Sequence, residues 1–400
     1  VGHHVLLVRE TFAEAGAPAL VCAHRERAVT QVLLLGFIAG ATVLWISVFG
    51  YLLLLRRFAR RDELRDDDRI EWPSIAVVIP VRDEADRVLD KLEDLRRSDY
   101  PPDRLTVVVV DGGSRDGTAE KIQARIDAGD PLVLMRVPQA RDKSTQINHV
   151  LRHLSREILV VTDVDSTLAP RCIRELVALL IRDPLTAVVG AVVHPDTPLV
   201  EERLHWRLLG KLWWLEGEAL SAAVVSGVCY AVRRSAIPLL AEGSGAEDIN
   251  LTVTAAARGY RVRLCPAAHA TEVRVPRSPR ELVRYRRRRG GAYVRALGSA
   301  LPEPGSPLGC RVARLVRLWH FRVSPKISLA LVLLGAALLW TPHWPWVVAI
   351  AAAFAVPVAA ALHDPGSELP WWRRALAASR LAGLTWYAVL TLPRQTGESR

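Results

Sequence analysis

Residues 29–55 read VTQVLLLGFIAGATVLWISVFGYLLLL, without one charged side chain. A helix needs ~20 apolar residues to cross the hydrocarbon core of a bilayer, and this run exceeds that length. The segment 29–56 is therefore expected to be a transmembrane anchor behind an N-terminal tail, 1–28. A cleaved signal peptide carries an apolar region of only about 7 to 15 residues near its start, so the anchor is expected to be retained. Arg56, Arg57, Arg60 and Arg61 follow at once. An excess of basic residues marks the cytoplasmic side of a span, although Arg25 and Arg27 on the other flank pull the opposite way.

Apolar runs return at 327–340 and 346–362, separated by TPHWP. Two antiparallel spans are expected there, within a C-terminal transmembrane region, 327–400. A basic juxtamembrane segment, 299–326, precedes them, with Arg311, Arg314, Arg317, Arg322 and Lys326 again marking a cytoplasmic face. The stretch 375–392 carries Arg380 inside it, and either spans or lies flat in the interface with the arginine snorkelling. Helices buried in a large soluble core would not gather Trp340, Trp344, Trp346, Trp371 and Trp372 at their ends, where interfacial aromatic belts occur.

The 53 Lys and Arg against 42 Asp and Glu leave a net charge of +11, which by itself suits nucleic acid, anionic lipid or a phosphorylated small molecule. The basic residues gather beside the apolar segments, and no zinc-finger spacing or RNA-binding aromatic signature accompanies them. Membrane lipid is thus an expected partner and nucleic acid is not. An integral membrane protein, in the plasma membrane with its globular part in the cytoplasm, is the expected location. Cys22, Cys172, Cys229, Cys265 and Cys310 are scattered without a C-x-x-C pair, so neither a disulfide framework nor a zinc or redox site is expected.

Between the membrane segments, over 70–298, short β-rich runs at 75–79, 106–110, 132–137, 158–162 and 187–193 alternate with helical patterns. Such alternation indicates an α/β domain with a mainly parallel sheet covered on both faces. Sheets of that kind bind ligands at the carboxyl ends of their strands. The first strand ends in Pro80-Val81-Arg82-Asp83-Glu84. The second ends in VVVVDGGSRDGT, placing Asp111 at the strand tip, Gly112 and Gly113 in a turn open to a ligand, and Asp116 to Thr118 at a helix start. This turn is neither G-x-G-x-x-G nor a Walker A loop, and an ordinary helix cap would read the same. The fourth strand, ILVVTDVDSTLAP, ends in Asp163-Val164-Asp165. Residues two apart on a strand face one side if the extended geometry persists, and the repulsion between two such carboxylates would be relieved by a divalent cation such as Mg²⁺, completed by water and phosphate oxygens. A solvated loop with Asp163 or Ser166 capping the next helix is the plainer alternative.

In the order and spacing of these motifs, over about 75–291, the chain resembles a membrane-bound glycosyltransferase of family 2, with a GT-A catalytic domain and flanking transmembrane helices. The resemblance implies that VIPVRDE, with Pro80 and Glu84, opens a nucleotide pocket, and that Asp111 contacts the base of a nucleotide-sugar donor. It implies that Asp163 and Asp165 match the family's D-x-D motif and bind Mg²⁺ or Mn²⁺ bridging to the diphosphate. Lys143 and Asn148, in DKSTQINHVL, match the Lys and Asn before that strand, which adds Lys143 to the nucleotide site. SGVCYAVRR, beginning at Ser226 and Gly227, matches part of the acceptor site. GAEDINLTVTAAARGYRV matches the family's acidic loop, so Glu247 falls beside the acceptor or diphosphate and Asp248 where the catalytic base is expected. First-turn helix carboxylates favoured by the dipole would look the same.

Processive synthases of the family carry Q-x-x-R-W where this chain reads Tyr285-Arg286-Arg287-Arg288-Arg289. Arg288 agrees, and is expected at the diphosphate or acceptor. The Gln and Trp do not, which favours transfer of one sugar or few to a lipid-linked or saccharide acceptor near the membrane. A processive polysaccharide synthase and a non-catalytic nucleotide-binding scaffold are the alternatives. Trp206 and Trp213, seven apart on HWRLLGKLWWLEGEAL, share a helix face that either rests on the membrane or packs in a core.

Overall fold

The computed structural model describes residues 2–59, 71–140, 142–240, 242–243, 246–299, 305–362 and 370–390. Arg60 and Arg61, expected at the cytoplasmic flank, lie outside them. The chain divides into two compact units, Val1–Tyr51 with Val323–Trp371, and Leu52–Arg322 with Trp372–Arg400.

The N-terminal apolar run folds as α1 (Gly2–Trp45), a π-helical turn (Ile46–Gly50) and α2 (Tyr51–Phe58). Helix already begins inside the stretch expected to be a tail. His24–Phe58 is long and apolar enough to cross a bilayer.

The second unit carries the sheet. In chain order it comprises β1 (Ile75–Val81), α3 (Val88–Arg96), β2 (Leu105–Asp111), α4 (Thr118–Asp127), β3 (Leu132–Arg136), α5 (Lys143–His153), β4 (Ile158–Thr162), β5 (Ser166–Leu168), α6 (Cys172–Arg182), β6 (Thr186–Pro195), α7 (Val200–Leu220), β7 (Cys229–Arg233), α8 (Glu247–Ala257), β8 (Arg261–Glu272), α9 (Pro279–Ser299) and α10 (Leu308–Arg322). The eight strands lie in the order β3-β2-β1-β4-β7-β6-β8-β5. Pairing is parallel from β3 to β4 and between β6 and β8, and antiparallel on both sides of β7 and between β5 and β8. The sheet is thus mostly parallel but mixed in its second half.

Alternation along β1 explains the layers. Ile75, Val77 and Ile79 enter a core with Leu92 and Leu95 of α3 and Leu176 and Leu180 of α6. Ala76 and Val78 point the other way, toward Ile147 and Val150 of α5 and Leu251 and Ala255 of α8. β1 is apolar on both sides because both faces are covered. Trp206 and Trp213 of α7 are buried in the first of these cores, edge to face at 6.2 Å between ring centroids, so the core alternative holds for both.

After α10 the chain continues as α11 (Ser324–Leu338), α12 (Trp344–Leu362) and α13 (Trp371–Leu390). The apolar part of α12, Trp344–Ala359, is short for a span, and α11 reaches span length only if counted with α10. Among the described residues one helix is therefore long and apolar enough to cross by itself, or two if α10 and α11 form one broken span, and the two C-terminal spans expected do not each reach that length. Within the basic segment 299–326, of which 300–304 lie outside the described residues, Arg314 and Arg317 are buried, and the Arg317 guanidinium donates to Glu216 of α7 at 2.5 Å. In α13, exposed Arg380 donates to Glu201 of α7 at 3.2 Å, so this arginine has a protein partner. In the first unit, α1 and α12 meet where Trp45 Nε1 donates to the carbonyl of Ala353 (3.3 Å).

Candidate active site

The loops after β1 and β2 are knitted by short polar contacts. Asp83 adopts a left-handed backbone (φ 55°), which Asp tolerates better than most residues. Its amide donates to Ser114 Oγ (2.9 Å), and its carboxylate accepts from the amide of Arg115 (2.8 Å). The Glu84 amide donates to Thr118 Oγ1 and the Ala85 amide to Asp116. Pro80 lies within β1, and Asp111, at the tip of β2, is buried and accepts from the Ser114 amide and hydroxyl at 3.1 and 2.5 Å. Gly113 permits this turn through its φ of +85°, and a Cβ there would sit 2.8 Å from the Pro138 carbonyl oxygen.

Helix α5 ties these strand ends to the rest of the site. Gln146 Nε2 donates to the carbonyls of Val81 and Val110 (both 2.8 Å). Asn148 Nδ2 donates to the Leu240 carbonyl (2.9 Å) and its Oδ1 accepts from the Leu240 amide (2.7 Å), which pins the approach to α8. Lys143, the first residue of α5, points into the centre. Its ammonium reaches Asp163 at 2.5 Å, Glu247 at 3.1 Å and the carbonyl of Gly227 at 3.1 Å. Burial alone would lower the Lys143 pKa, but the carboxylates of Asp163 and Glu247 more than offset it and hold the ammonium well above its usual range.

Asp248 completes the cluster. It accepts from the amides of Gly227 (2.7 Å) and Ile249 (2.8 Å). Burial and the neighbouring Glu247 carboxylate push its pKa up to about 6, against the pull of Lys143 and the two amides. A Cβ at Gly227 would meet Glu247 and Lys143 at 3.2 Å and Asp248 at 3.4 Å, so the three side chains converge closely on this backbone and a larger residue would push their ends aside. The structure thus joins Lys143, Asp163, Gly227, Glu247 and Asp248 directly. Asp111 stands two strands away, ~10 Å at the usual strand spacing.

The D-x-D pair is arranged differently from the extended expectation. β4 ends at Thr162, and 163–165 form a turn before β5. Val164 is buried in the core beneath it, so the two carboxylates flank an apolar anchor. Asp165 pairs with Arg274 Nε at 3.2 Å, and the same guanidinium donates to both Glu84 oxygens at 2.6 Å. Burial, and next the Asp163 charge, raise the Asp165 pKa above the carboxylate norm, the mark of two acids competing for one region. Hard oxygen donors of like charge fit Mg²⁺ or Mn²⁺. No larger cluster of His, Cys, Asp or Glu suited to a metal occurs among the described residues, so water and substrate phosphate would complete the coordination.

Asp163, Gly227, Glu247 and Asp248 line one end of a cavity of about 330 Å³. Its other walls come from α7 (Glu202, His205, Trp206), α9 (Tyr285, Arg286, Arg289) and Phe321 of α10. Arg286 donates to Glu202 at 2.5 Å, and Arg289 donates to Glu272 of β8 at 2.6 Å while lying over the rings of Tyr285 and Trp206. Burial, despite Arg289, pushes Glu272 up to about 7. Arg288 is exposed and does not line the cavity. The residues of α9 that do, 285, 286, 289, 290, 292 and 293, follow a helical repeat, a signal legible in the sequence but masked there by the run of arginines. Glu202, Glu272 and Arg274 carry no local motif that would single them out.

Two descriptions match the sequence: Glycosyl transferase family 2 over residues 76–237 and Glycosyl transferase family group 2 over 158–362. Among similar proteins, the probable glycosyltransferase YdaM of Bacillus subtilis is 26% identical over 279 residues, 64% of this chain and 66% of that protein. An N-acetylglucosaminyltransferase of Mesorhizobium japonicum is 29% identical over 52% of this chain and 53% of its own length. Putative cellulose synthase 2 of Komagataeibacter xylinus is 24% identical over 93% of this chain but only 24% of its own length. The chain thus spans less than two thirds of these curated relatives. The structure of a mannosyltransferase from Pyrobaculum calidifontis, solved with GDP-Man and Mn²⁺, superposes with a TM-score of 0.67 at 23% identity, covering 90% of this chain and 99% of that one. The likeness at that identity speaks for the fold, and with the sequence matches over more than half the chain it leads to one conclusion: this chain belongs to glycosyltransferase family 2, with a GT-A-like catalytic fold.

Proposed function

We propose that the protein is a metal-dependent, inverting glycosyltransferase. It takes a hexosyl group from a nucleotide sugar and passes it to a lipid-linked or other membrane-proximal acceptor on the cytoplasmic side. The observation that carries this reading is Asp248, a carboxylate whose pKa is pushed up to about 6, at one end of the cavity it shares with Asp163. A base with that pKa is ionised at neutral pH yet basic enough to draw the proton from an acceptor hydroxyl as it attacks the anomeric carbon. Attack opposite the departing nucleoside diphosphate inverts the anomeric centre.

In this reading Asp111 receives the nucleobase, and Pro80 and Glu84 border the nucleotide pocket. Lys143 turns from Asp163 and Glu247 toward the diphosphate. Asp163 and Asp165 would hold Mg²⁺ or Mn²⁺, which supplies charge neutralisation for the leaving diphosphate. The Mn²⁺ and GDP-Man bound in the Pyrobaculum calidifontis structure support the metal and a nucleotide-sugar donor. Gly227 and Glu247 border the acceptor, and Arg288, exposed on α9, is available to an anionic headgroup. Tyr285 and Arg289 stand where processive synthases carry Gln and Trp, and Arg289 is engaged with Glu272, which favours transfer of one sugar or few.

The test is a donor screen by release of nucleoside diphosphate, with membrane lipid extracts as acceptors and product length read on a gel. Turnover is expected from some nucleotide sugar only with a divalent cation, and Asp165→Ala should abolish it. Robust transfer surviving both EDTA and Asp165→Ala would end the assignment, and long polymeric products would favour a processive synthase. Absence of turnover with every donor, while nucleotide still binds, would favour a scaffold.

A further inference from the structure

β5 is the outermost strand of the sheet, and it begins one residue after Asp165. On its inner side the Val273 amide donates to the Asp165 carbonyl and the Ala169 amide to the His269 carbonyl (both 3.0 Å). The backbone groups of Ser166 and Leu168 therefore face outward, where an edge strand is ordinarily left unpaired. Here a helix supplies the missing neighbour. Lys91 of α3 donates to the Ser166 carbonyl at 2.9 Å and to its hydroxyl at 3.0 Å, and Asp94 accepts from the Leu168 amide at 2.9 Å. One ammonium and one carboxylate, a turn apart and 3.4 Å from each other, do what the N–H and C=O of a further strand would do. Both side chains are buried, 0% and 4% exposed. Burial lowers the Lys91 pKa, and Asp94 counters it.

The contact continues into the D-x-D turn. Ser166 Oγ donates to the Asp163 carbonyl at 2.8 Å and lies 3.0 Å from Thr162 Oγ1, which itself donates to the Val228 carbonyl. A charged pair in a dry interior is a poor source of stability compared with apolar side chains of the same size. Its worth lies in the geometry it enforces.

We infer that Lys91 and Asp94 are positioning residues for the metal-carrying turn, fixing the register of β5 and with it the placement of Asp163 and Asp165. The inference rests on the proposed metal role of those carboxylates. Charge and geometry make different forecasts, which renders it testable. Removing Lys91 and Asp94 together leaves the net charge unchanged, so charge alone forecasts little change in cation binding, whereas releasing the turn weakens it.

The experiment is a titration of the full-length protein with Mn²⁺ alone, followed by loss of the free-ion electron paramagnetic resonance signal. The double variant Lys91→Met/Asp94→Asn keeps an acceptor for the Leu168 amide. It is expected to bind Mn²⁺ about tenfold more weakly, the usual scale for supporting residues of a metal site. Affinity equal to wild type or tighter in folded protein, whatever the change in melting temperature, overturns the inference. If the double variant fails to fold, Ser166→Ala decides. Loss of its hydroxyl should weaken Mn²⁺ about threefold, within the range of one hydrogen bond, and unchanged affinity would again overturn the inference. Wild-type Mn²⁺ binding indifferent to Asp165→Ala would instead sink the proposed metal site itself, an outcome separable from the other two.

Discussion

The half of the sheet formed by β3, β2, β1 and β4 and the half formed by β7, β6, β8 and β5 hold their polar residues by different means. In the first, Asp83, Asp111 and Asp116 are anchored by amides and hydroxyls of the adjoining loop. In the second, Glu202 and Glu272 are held by guanidinium groups on α9, across 84 and 17 residues of sequence. Anchoring to backbone amides survives the loss of any one partner side chain. Pairing between buried charges is mutual, and removing one partner strands the other in a medium that solvates it poorly. Changes in the first half should therefore register mainly in donor affinity, and those in the second in catalysis or stability.

The largest effect expected is for Asp248→Asn, which keeps the shape of the cluster but not its basicity. Turnover should fall about a thousandfold, while calorimetry finds nucleoside diphosphate binding preserved. Equal loss of binding would break the division between the halves. Next is Arg286→Met. Glu202 is 1% exposed, and leaving it unpaired should lower stability by about 3 kcal/mol, read from denaturant unfolding. Ser114→Ala in the other half should cost about 1 kcal/mol, and a larger loss there would reverse the comparison. Asp111→Asn should raise the donor KM about tenfold, the worth of one hydrogen bond from a charged acceptor, with kcat unchanged.

The last effect is in pH dependence. Glu272, at about 7 in the folded protein and ~4.3 in an unfolded chain, keeps its proton where the unfolded state has released it. Below about pH 4 it makes no difference to stability, and from there to about pH 7 it increasingly penalises the fold. Glu272→Gln removes that slope, so the melting temperature of the variant relative to wild type should climb between pH 4.5 and 7.5. A constant difference would show that Arg289 keeps Glu272 ionised throughout.

Legibility followed the same division apart from β6. β1 to β4 and β6 stand out as apolar runs because both sheet faces are covered, and their polar ends carried Asp111, Asp163 and Asp165. β5 has three residues, and β8 mixes Arg261, Arg263, Pro266 and His269 with a shift in register at Ala191/Val192 of its partner β6, so neither presents a periodic pattern. Arg288 stood out as part of a motif, yet Arg289, one position on, faces the cavity, since a helix turns ~100° per residue.

The sequence by itself determined a membrane-length apolar helix, an α/β domain and the acidic strand ends where a nucleotide sugar would bind, because hydrophobic periodicity and turn chemistry are local properties of the chain. Only the tertiary structure decided which polar groups meet: Lys143 with Asp163 and Glu247, Arg274 with Glu84 and Asp165, and Lys91 with the Ser166 carbonyl beneath the D-x-D turn. These pairings join residues 75 to 190 positions apart in the more distant cases, and Coulomb attraction depends on distance through the folded interior rather than along the chain.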